Sequence, residues 1–320
     1  MLLIELPKLP WDETQLLYHA LGRLGIEALA LTRSASPYLC VGFSGGVEAE
    51  ADTAYCSKEG IGVFRREIGG GTVFIDSRQL LVQLVLKRER PGIPAGQAAF
   101  FKKYLGPLVE VYRELGLDAE FRPINDILVD GRKISGTGGG EIGDCAVLGT
   151  NILEDFDFER MARALRCPSD AFRSAVLEGM RRNMTTLKQE LGPGRLPTDR
   201  GLRGLVKAAY ERLLGPVQET ELPSGVRAEM ERLRGELFSK KWLGDRGARH
   251  PWREVKLREG SYVAQLLWKG IDVLVETSEG RIVSAMDLEG RSQGPWKVLV
   301  GLPYSEEEVL KTRNAHAGER

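Results

Sequence analysis

Histidine is nearly absent: His19, His250 and His316 are the only three in 320 residues. His19 falls in a helical pattern, His250 precedes a proline in a polar loop, and His316 sits in a polar tail. A histidine metal cluster or a Ser-His-Asp triad would have to be assembled from these three. The four cysteines, Cys40, Cys56, Cys145 and Cys167, show no Cys-x-x-Cys spacing, which argues against a zinc knuckle and a disulfide framework. Net charge is missing too: 45 basic and 45 acidic residues cancel. Such a balance speaks against nucleic acid or an anionic membrane as the main partner. No stretch approaches the roughly 18 apolar residues of a spanning helix. The opening Met1-Leu-Leu-Ile-Glu-Leu run is cut by Glu5 and has no basic leader, so a cytoplasmic location is expected.

What is present is a chain with 42% hydrophobic and 28% charged residues, enough for a sizeable core in one large or two modest domains. Helical spacing marks 12–24, 49–59, 98–115, 158–165, 169–191, 202–214 and 226–238. Strands are expected at 28–31, 38–43, 61–66, 72–75, 80–86 and 147–153. Asp130-Gly131 between two apolar runs predicts a tight hairpin, because both turn residues tolerate positive φ. Strands come in pairs with helices between them, which favours an α+β class of mixed and antiparallel sheets with flanking helices. The segment 215–225 reads as a boundary between a unit over 1–220 and a small α+β unit over 226–320. The second unit is expected to hold a meander at 262–268, 271–276 and 281–286, and a last helix from Ser305.

The 38 glycines are the most informative residues, and two clusters carry candidate chemistry. The first is Arg65-Arg66-Glu-Ile-Gly69-Gly70-Gly71-Thr72-Val73-Phe74. Three bare residues let several N–H groups converge on an anionic oxygen, and the two arginines add fork-shaped donors suited to phosphate or carboxylate. The alternative is a glycine-rich turn before a core strand. The second cluster runs from Asn125-Asp126 through Lys133-Ile-Ser135-Gly136-Thr137 into three more glycines. In the hairpin Leu128 faces Lys133, so Asp126, Leu128, Lys133 and Ser135 share a face. Lys133 is then either a solvated edge residue or an anchor for a carboxylate turning into an acyl phosphate. Asp126 on the same face could hold Mg²⁺ against a triphosphate.

These motifs, with Gly149-Thr150-Asn-Ile-Leu and the helix Gly179-Met-Arg-Arg-Asn-Met-Thr-Thr-Leu187, resemble the lipoate–protein ligases over most of residues 1 to 220. The C-terminal segment resembles that family's small accessory domain. The resemblance implies a biotin/lipoate protein ligase-like fold and a two-step reaction, in which lipoate or octanoate reacts with ATP and Mg²⁺ to give an acyl-adenylate. A lysine of a lipoyl-domain acceptor then takes the acyl group. That acceptor would be an E2, a glycine-cleavage H protein or a lipoate-binding protein of sulfur oxidation. By the same resemblance Lys133 is catalytic. Arg65, Arg66, Gly69, Gly70, Gly71, Thr72, Val73, Phe74, Ser135, Gly136, Thr137, Gly149 and Thr150 join it in binding the adenylate. Asp126 would bind Mg²⁺ or orient Lys133. Where the family carries His-Asp after its glycine loop this chain has Ile75-Asp76, and Val147-Leu148 replaces the histidine before Gly149-Thr150. The alternatives are a cysteine-dependent acyl transferase using Cys145 or Cys167, and a non-catalytic lipoyl-binding module.

Overall fold

The computed structural model describes residues 1–245 and 253–304; His250, His316 and the expected helix from Ser305 lie outside them. The described residues form two compact units. One comprises Met1–Asp157 and the residues from Thr185 up to 245; the other comprises Phe158–Met184 and those from Arg253 to Tyr304.

The larger unit starts with β1 (Leu2–Leu9), α1 (Trp11–Arg23), β2 (Ala28–Ser34) and β3 (Tyr38–Val41). Two short helices, α2 (Val47–Glu50) and α3 (Thr53–Lys58), precede β4 (Gly62–Arg65), β5 (Val73–Ile75) and β6 (Gln79–Lys87). Next come α4 (Gln97–Glu114), β7 (Ala119–Arg122), β8 (Asp126–Val129), β9 (Arg132–Lys133), β10 (Thr137–Ile142) and β11 (Cys145–Leu153). The chain passes through α5 (Phe158–Ala164) and α6 (Asp170–Asn183) of the smaller unit. It returns as α7 (Leu187–Leu191), α8 (Asp199–Leu214), β12 (Gln218–Glu219), α9 (Val226–Leu237) and α10 (Lys240–Leu243). The smaller unit is completed by an antiparallel meander of β13 (Arg253–Arg258), β14 (Ser261–Trp268), β15 (Ile271–Ser278) and β16 (Arg281–Asp287). Mixed sheets with flanking helices make this the α+β class read from the strand pairs.

A six-stranded sheet ordered β10-β11-β6-β2-β1-β12 organises the larger unit. β6 is buried on both faces, which is why its sequence is a nearly continuous apolar run rather than an alternation. Leu80, Val82, Leu84 and Leu86 point to a core shared with Phe101, Leu105 and Leu108 of α4 and Val206 and Tyr210 of α8. Leu81 and Val85 point the other way, toward Leu16, Leu17 and Leu21 of α1 and Val226, Met230 and Leu233 of α9.

The division between units departs from the boundary expected at 215–225. Proline and glycine there mark an exposed turn, after which α9 buries its apolar stripe in the larger unit's core. The chain crosses instead within the helix expected over 169–191, at Met184–Thr185. Met184 is extended, and Thr186 begins a new helix by accepting a hydrogen bond from the Gln189 amide. That is the ordinary role of a threonine N-cap.

Candidate functional site

The hairpin forms as its turn chemistry requires. Asp130 and Gly131 have φ of +48° and +73°, the pair of positive values that a two-residue turn of this hand needs. Leu128 stands opposite Lys133 and Val129 opposite Arg132. Asp126 is therefore a diagonal neighbour of Lys133, and Nζ of Lys133 lies 2.6 Å from Oδ1 of Asp126. The carboxylate is fully buried and the lysine side chain is 14% exposed. Backbone contacts hold this strand in place: the Thr185 amide donates to the Lys133 carbonyl, and the Tyr112 hydroxyl donates to the Ile134 carbonyl at 3.0 Å.

The second glycine cluster is a strand. Residues Thr137–Ile142 form β10, with Thr137 paired to Thr150 and Gly138 to Gly149. Glycines fill it because another backbone lies directly on it. The Gly69 amide donates to the Gly139 carbonyl at 3.0 Å, and a Cβ added to Gly138 would stand 2.6 Å from the Gly69 carbonyl oxygen. Gly70 takes φ of +105°, a value that side chains rarely adopt. The two glycine clusters thus face and touch each other, while Gly71 has open space around it.

The two arginines diverge from adjacent positions. Arg66 is buried, and its guanidinium donates to the carbonyls of Cys40 (3.1 Å), Gly69 (3.0 Å) and Gly71 (2.8 Å), holding the glycine loop in its curve. Arg65 donates to the carbonyls of Phe43 and Gly45 and lies over the Trp242 ring at 4.6 Å. Both therefore spend most of their donors on backbone oxygens, with Arg65 also 3.4 Å from the Asp245 carboxylate. Thr72 donates its hydroxyl to Glu50, and Phe74 is a buried strand residue opposite Leu39.

Arg66, Ile68 and Val73, which flank the glycine loop, line a cavity of about 50 Å³. Gly136, Thr137, Gly138, Gly149, Thr150 and Asn151 line it together with Arg66, Ile68, Val73 and Ile75. Leu81 and Gln83 of β6, Gln15 and Tyr18 of α1, and Cys40 of β3 line the rest. Of the residues singled out from sequence, Arg66, Val73, Gly136, Thr137, Gly149 and Thr150 reach this cavity. Arg65, Gly69, Gly70, Gly71, Thr72, Phe74, Asp126, Lys133 and Ser135 are not in its lining, but the segment that follows Lys133 reaches it at Gly136. Sequence reasoning passed over Gln15, Tyr18, Cys40, Ile68, Leu81, Gln83 and Asn151. One signal was available: Gln83 is the only polar residue in the run 80–86.

Burial favours the neutral forms of His19 and of three of the thiols. Burial lowers His19 to about 3, so its ring is uncharged; Nδ1 lies 2.7 Å from the Gln15 carbonyl, and Nε2 accepts from the Glu67 amide. Desolvation raises the thiols of Cys40 and Cys145 and pushes Cys56 up to about 11. Buried thiols of this kind are poor nucleophiles. Cys167, in the smaller unit, is half-buried with its thiol 3.8 Å from the Ala162 carbonyl. Among the described residues no group of three or more His, Cys, Asp or Glu side chains could hold a metal ion, and no helix is long and apolar enough to cross a membrane.

Comparison with known proteins shows the family of the larger part of the chain. The profile of the lipoyl protein ligase A/B catalytic domain matches residues 7–213. The lipoate-protein ligase LplJ of Bacillus subtilis is 28% identical over 155 residues, 48% of this chain and 45% of that protein. The chain spans about half the length of the first curated relatives it matches. The octanoyltransferase LipM of Kyrpidia tusciae is 24% identical over 253 residues, 72% of this chain and 91% of that protein. Among solved structures, a bipartite lipoate protein ligase studied with its E2 lipoyl domain from Thermoplasma acidophilum superposes with a TM-score of 0.67. That match has 21% identity and covers 80% of this chain and 98% of the other.

Proposed function

The chain belongs to the lipoyl protein ligase A/B catalytic domain family, and within it we propose an ATP-dependent lipoate–protein ligase. The observation that carries this reading is the docking of the Gly69–Gly71 loop on β10 beside one cavity. The segment that reaches that cavity at Gly136 follows a lysine held by a buried carboxylate. The cavity, about 50 Å³, is well below the roughly 300 Å³ at which ligand pockets begin. Binding of an acyl chain would therefore need residues of its lining, such as Arg66, Ile68 and Val73, to move apart.

In the first step an oxygen of the lipoate or octanoate carboxylate attacks the α-phosphorus of ATP, and the bond to pyrophosphate breaks. Lys133 would stabilise the negative charge that gathers on the phosphoryl and carbonyl oxygens. Backbone N–H groups of the glycine loop and of Gly136–Thr137 would cradle the adenylate, with Arg65 and Arg66 shaping that loop. In the second step the uncharged amine of an acceptor lysine attacks the carbonyl carbon; AMP leaves, and the amine's proton goes to solvent or phosphate. No enzyme-bound acyl group is needed, which suits a unit whose thiols are buried and raised. Asp126, fully buried and paired with Lys133, would orient that lysine; with no exposed carboxylate oxygen it does not fit a hydrated magnesium ion, and no step is routed through one. The acceptor is a lipoyl domain, of an E2, a glycine-cleavage H protein or a lipoate-binding protein, and the setting is the cytoplasm.

The length of the match to an octanoyltransferase favours a second reading, acyl transfer through a cysteine, for which the half-buried Cys167 is the most accessible of the four thiols. Incubation with ATP, Mg²⁺ and lipoate should yield lipoyl-AMP by mass spectrometry. Absence of the adenylate, together with ATP-independent octanoyl transfer lost in Cys167→Ser, would replace the ligase by the transferase.

A further inference from the structure

Gln83 is the one amide in a run of six apolar residues, and it lines the cavity. Its place is fixed by pairing with Ala30 on one side and Gly149 on the other. Nε2 donates to the Thr14 carbonyl of α1 at 2.7 Å, which settles the orientation of the amide. Oε1 is then shielded from solvent with no donor among the described residues, in a side chain of a residue 3% exposed.

The other polar side chains of the lining have partners. Gln15 donates to the Tyr38 hydroxyl and accepts from Tyr18 and Cys40. Asn151 accepts from the Gly136 amide and donates to Gln79, and the Thr137 and Thr150 hydroxyls meet at 3.3 Å. A buried acceptor lacking a donor is unfavourable, and its natural partner is a water or a ligand atom that carries a hydrogen. In register, Leu81 shares the Asn151 row and Gln83 the Gly149 row. Moving from one to the other is a step of about 7 Å, directed away from the end of β10 nearest Lys133. A carboxylate held near Lys133 would therefore point its chain toward Gln83.

We propose that Gln83 is a specificity-determining residue for the acyl tail, its Oε1 accepting a hydrogen bond from a donor on the far part of the chain. The substrate class that fits is a straight-chain carboxylic acid with distal thiol groups, as in the opened dithiol form of lipoate. A chain that is apolar to its end offers no hydrogen, and a closed dithiolane offers only sulfur lone pairs. This inference rests on the acyl-binding reading given above.

The test is titration of the full chain, without nucleotide, with octanoate, 8-hydroxyoctanoate, lipoate and, under reductant, dihydrolipoate. Dihydrolipoate should bind roughly tenfold more tightly than octanoate, and in Gln83→Leu that ratio should fall close to one. A ratio of dissociation constants does not depend on the fraction of folded variant. Equal affinities in the unmodified chain would overturn the inference without any variant, as would an unchanged ratio in Gln83→Leu. A preference confined to the hydroxy acid would overturn the assignment to the dithiol. Failure to bind any of the four acids would overturn the acyl-binding reading as well, whereas binding without discrimination would remove only the role of Gln83.

Discussion

The close approach of the two glycine segments can be tested by adding one methyl group. In Gly138→Ala the new Cβ would lie 2.6 Å from the Gly69 carbonyl oxygen and 3.3 Å from Nε of Arg66. An ordinary contact begins near 3.4 Å, so the glycine loop must retreat by about 0.8 Å, the difference of the two distances. Such a shift carries the Gly69 amide, now 3.0 Å from the Gly139 carbonyl, out of hydrogen-bonding range. Overpacking of this kind costs about 1–3 kcal/mol and the lost hydrogen bond about 0.5–1.5 kcal/mol. Reduced freedom of the unfolded chain returns about 0.4–1 kcal/mol. A net destabilisation of roughly 2 kcal/mol corresponds, for a unit of this size, to a Tm lowered by about 4–8 °C. Gly71→Ala is the matched control: nothing lies within 4 Å of its Cβ, so it should be neutral or gain a few tenths of a kcal/mol. Scanning calorimetry of the two variants decides the matter. If Gly138→Ala melts with the unmodified chain, the backbone contact is not what holds the loop, and the explanation of the glycine-filled strand fails.

Lys133→Ala should lower lipoyl-AMP formation by about 10²–10³-fold, the usual effect of removing one donor from a developing oxyanion; pyrophosphate release at the normal rate would refute its role. Because desolvation raises the Cys40 and Cys145 thiols, both should resist iodoacetamide at neutral pH in the folded chain. Rapid alkylation of either, read by peptide mass spectrometry, would contradict their burial. His19 is held at about 3 by burial, below the 6.5 of an exposed ring, so the unfolded chain takes up the proton first as pH falls. Stability carried by this residue is therefore full at pH 8 and declines on acidification, by about 2 kcal/mol at pH 5. Imidazole nitrogen resonances should still report a neutral His19 in the folded protein at that pH, and a protonated ring would show the pocket to be wet.

Features set by neighbours in the chain were legible from residue types. Asp130-Gly131 announced its turn, and period-two alternation then placed Asp126 beside Lys133, because a strand's geometry leaves no other diagonal partner. The amphipathic stripe at 98–115 became α4, and the paired strands gave the α+β class. The glycine clusters were visible as places where a backbone must come close to something. Their partner was not: composition alone does not distinguish a bare loop awaiting a phosphate from a strand lying against another main chain.

The break inside 169–191 was hidden because helical spacing continues through Met184, and only packing decided that the two halves belong to different units. The arginines illustrate the same limit. Sequence supplied two guanidiniums beside three glycines, and their charge suggested an anion. Which oxygens they meet depended on Cys40, 26 residues from Arg66, and on Trp242, 177 residues from Arg65. Residue type thus determined what each segment can do: turn, pair, bury a face, carry a charge. Tertiary structure alone decided which buried polar atoms are satisfied and which, like Oε1 of Gln83, are left without a donor among the described residues, because a hydrogen bond is made by atoms that only folding brings within about 3 Å.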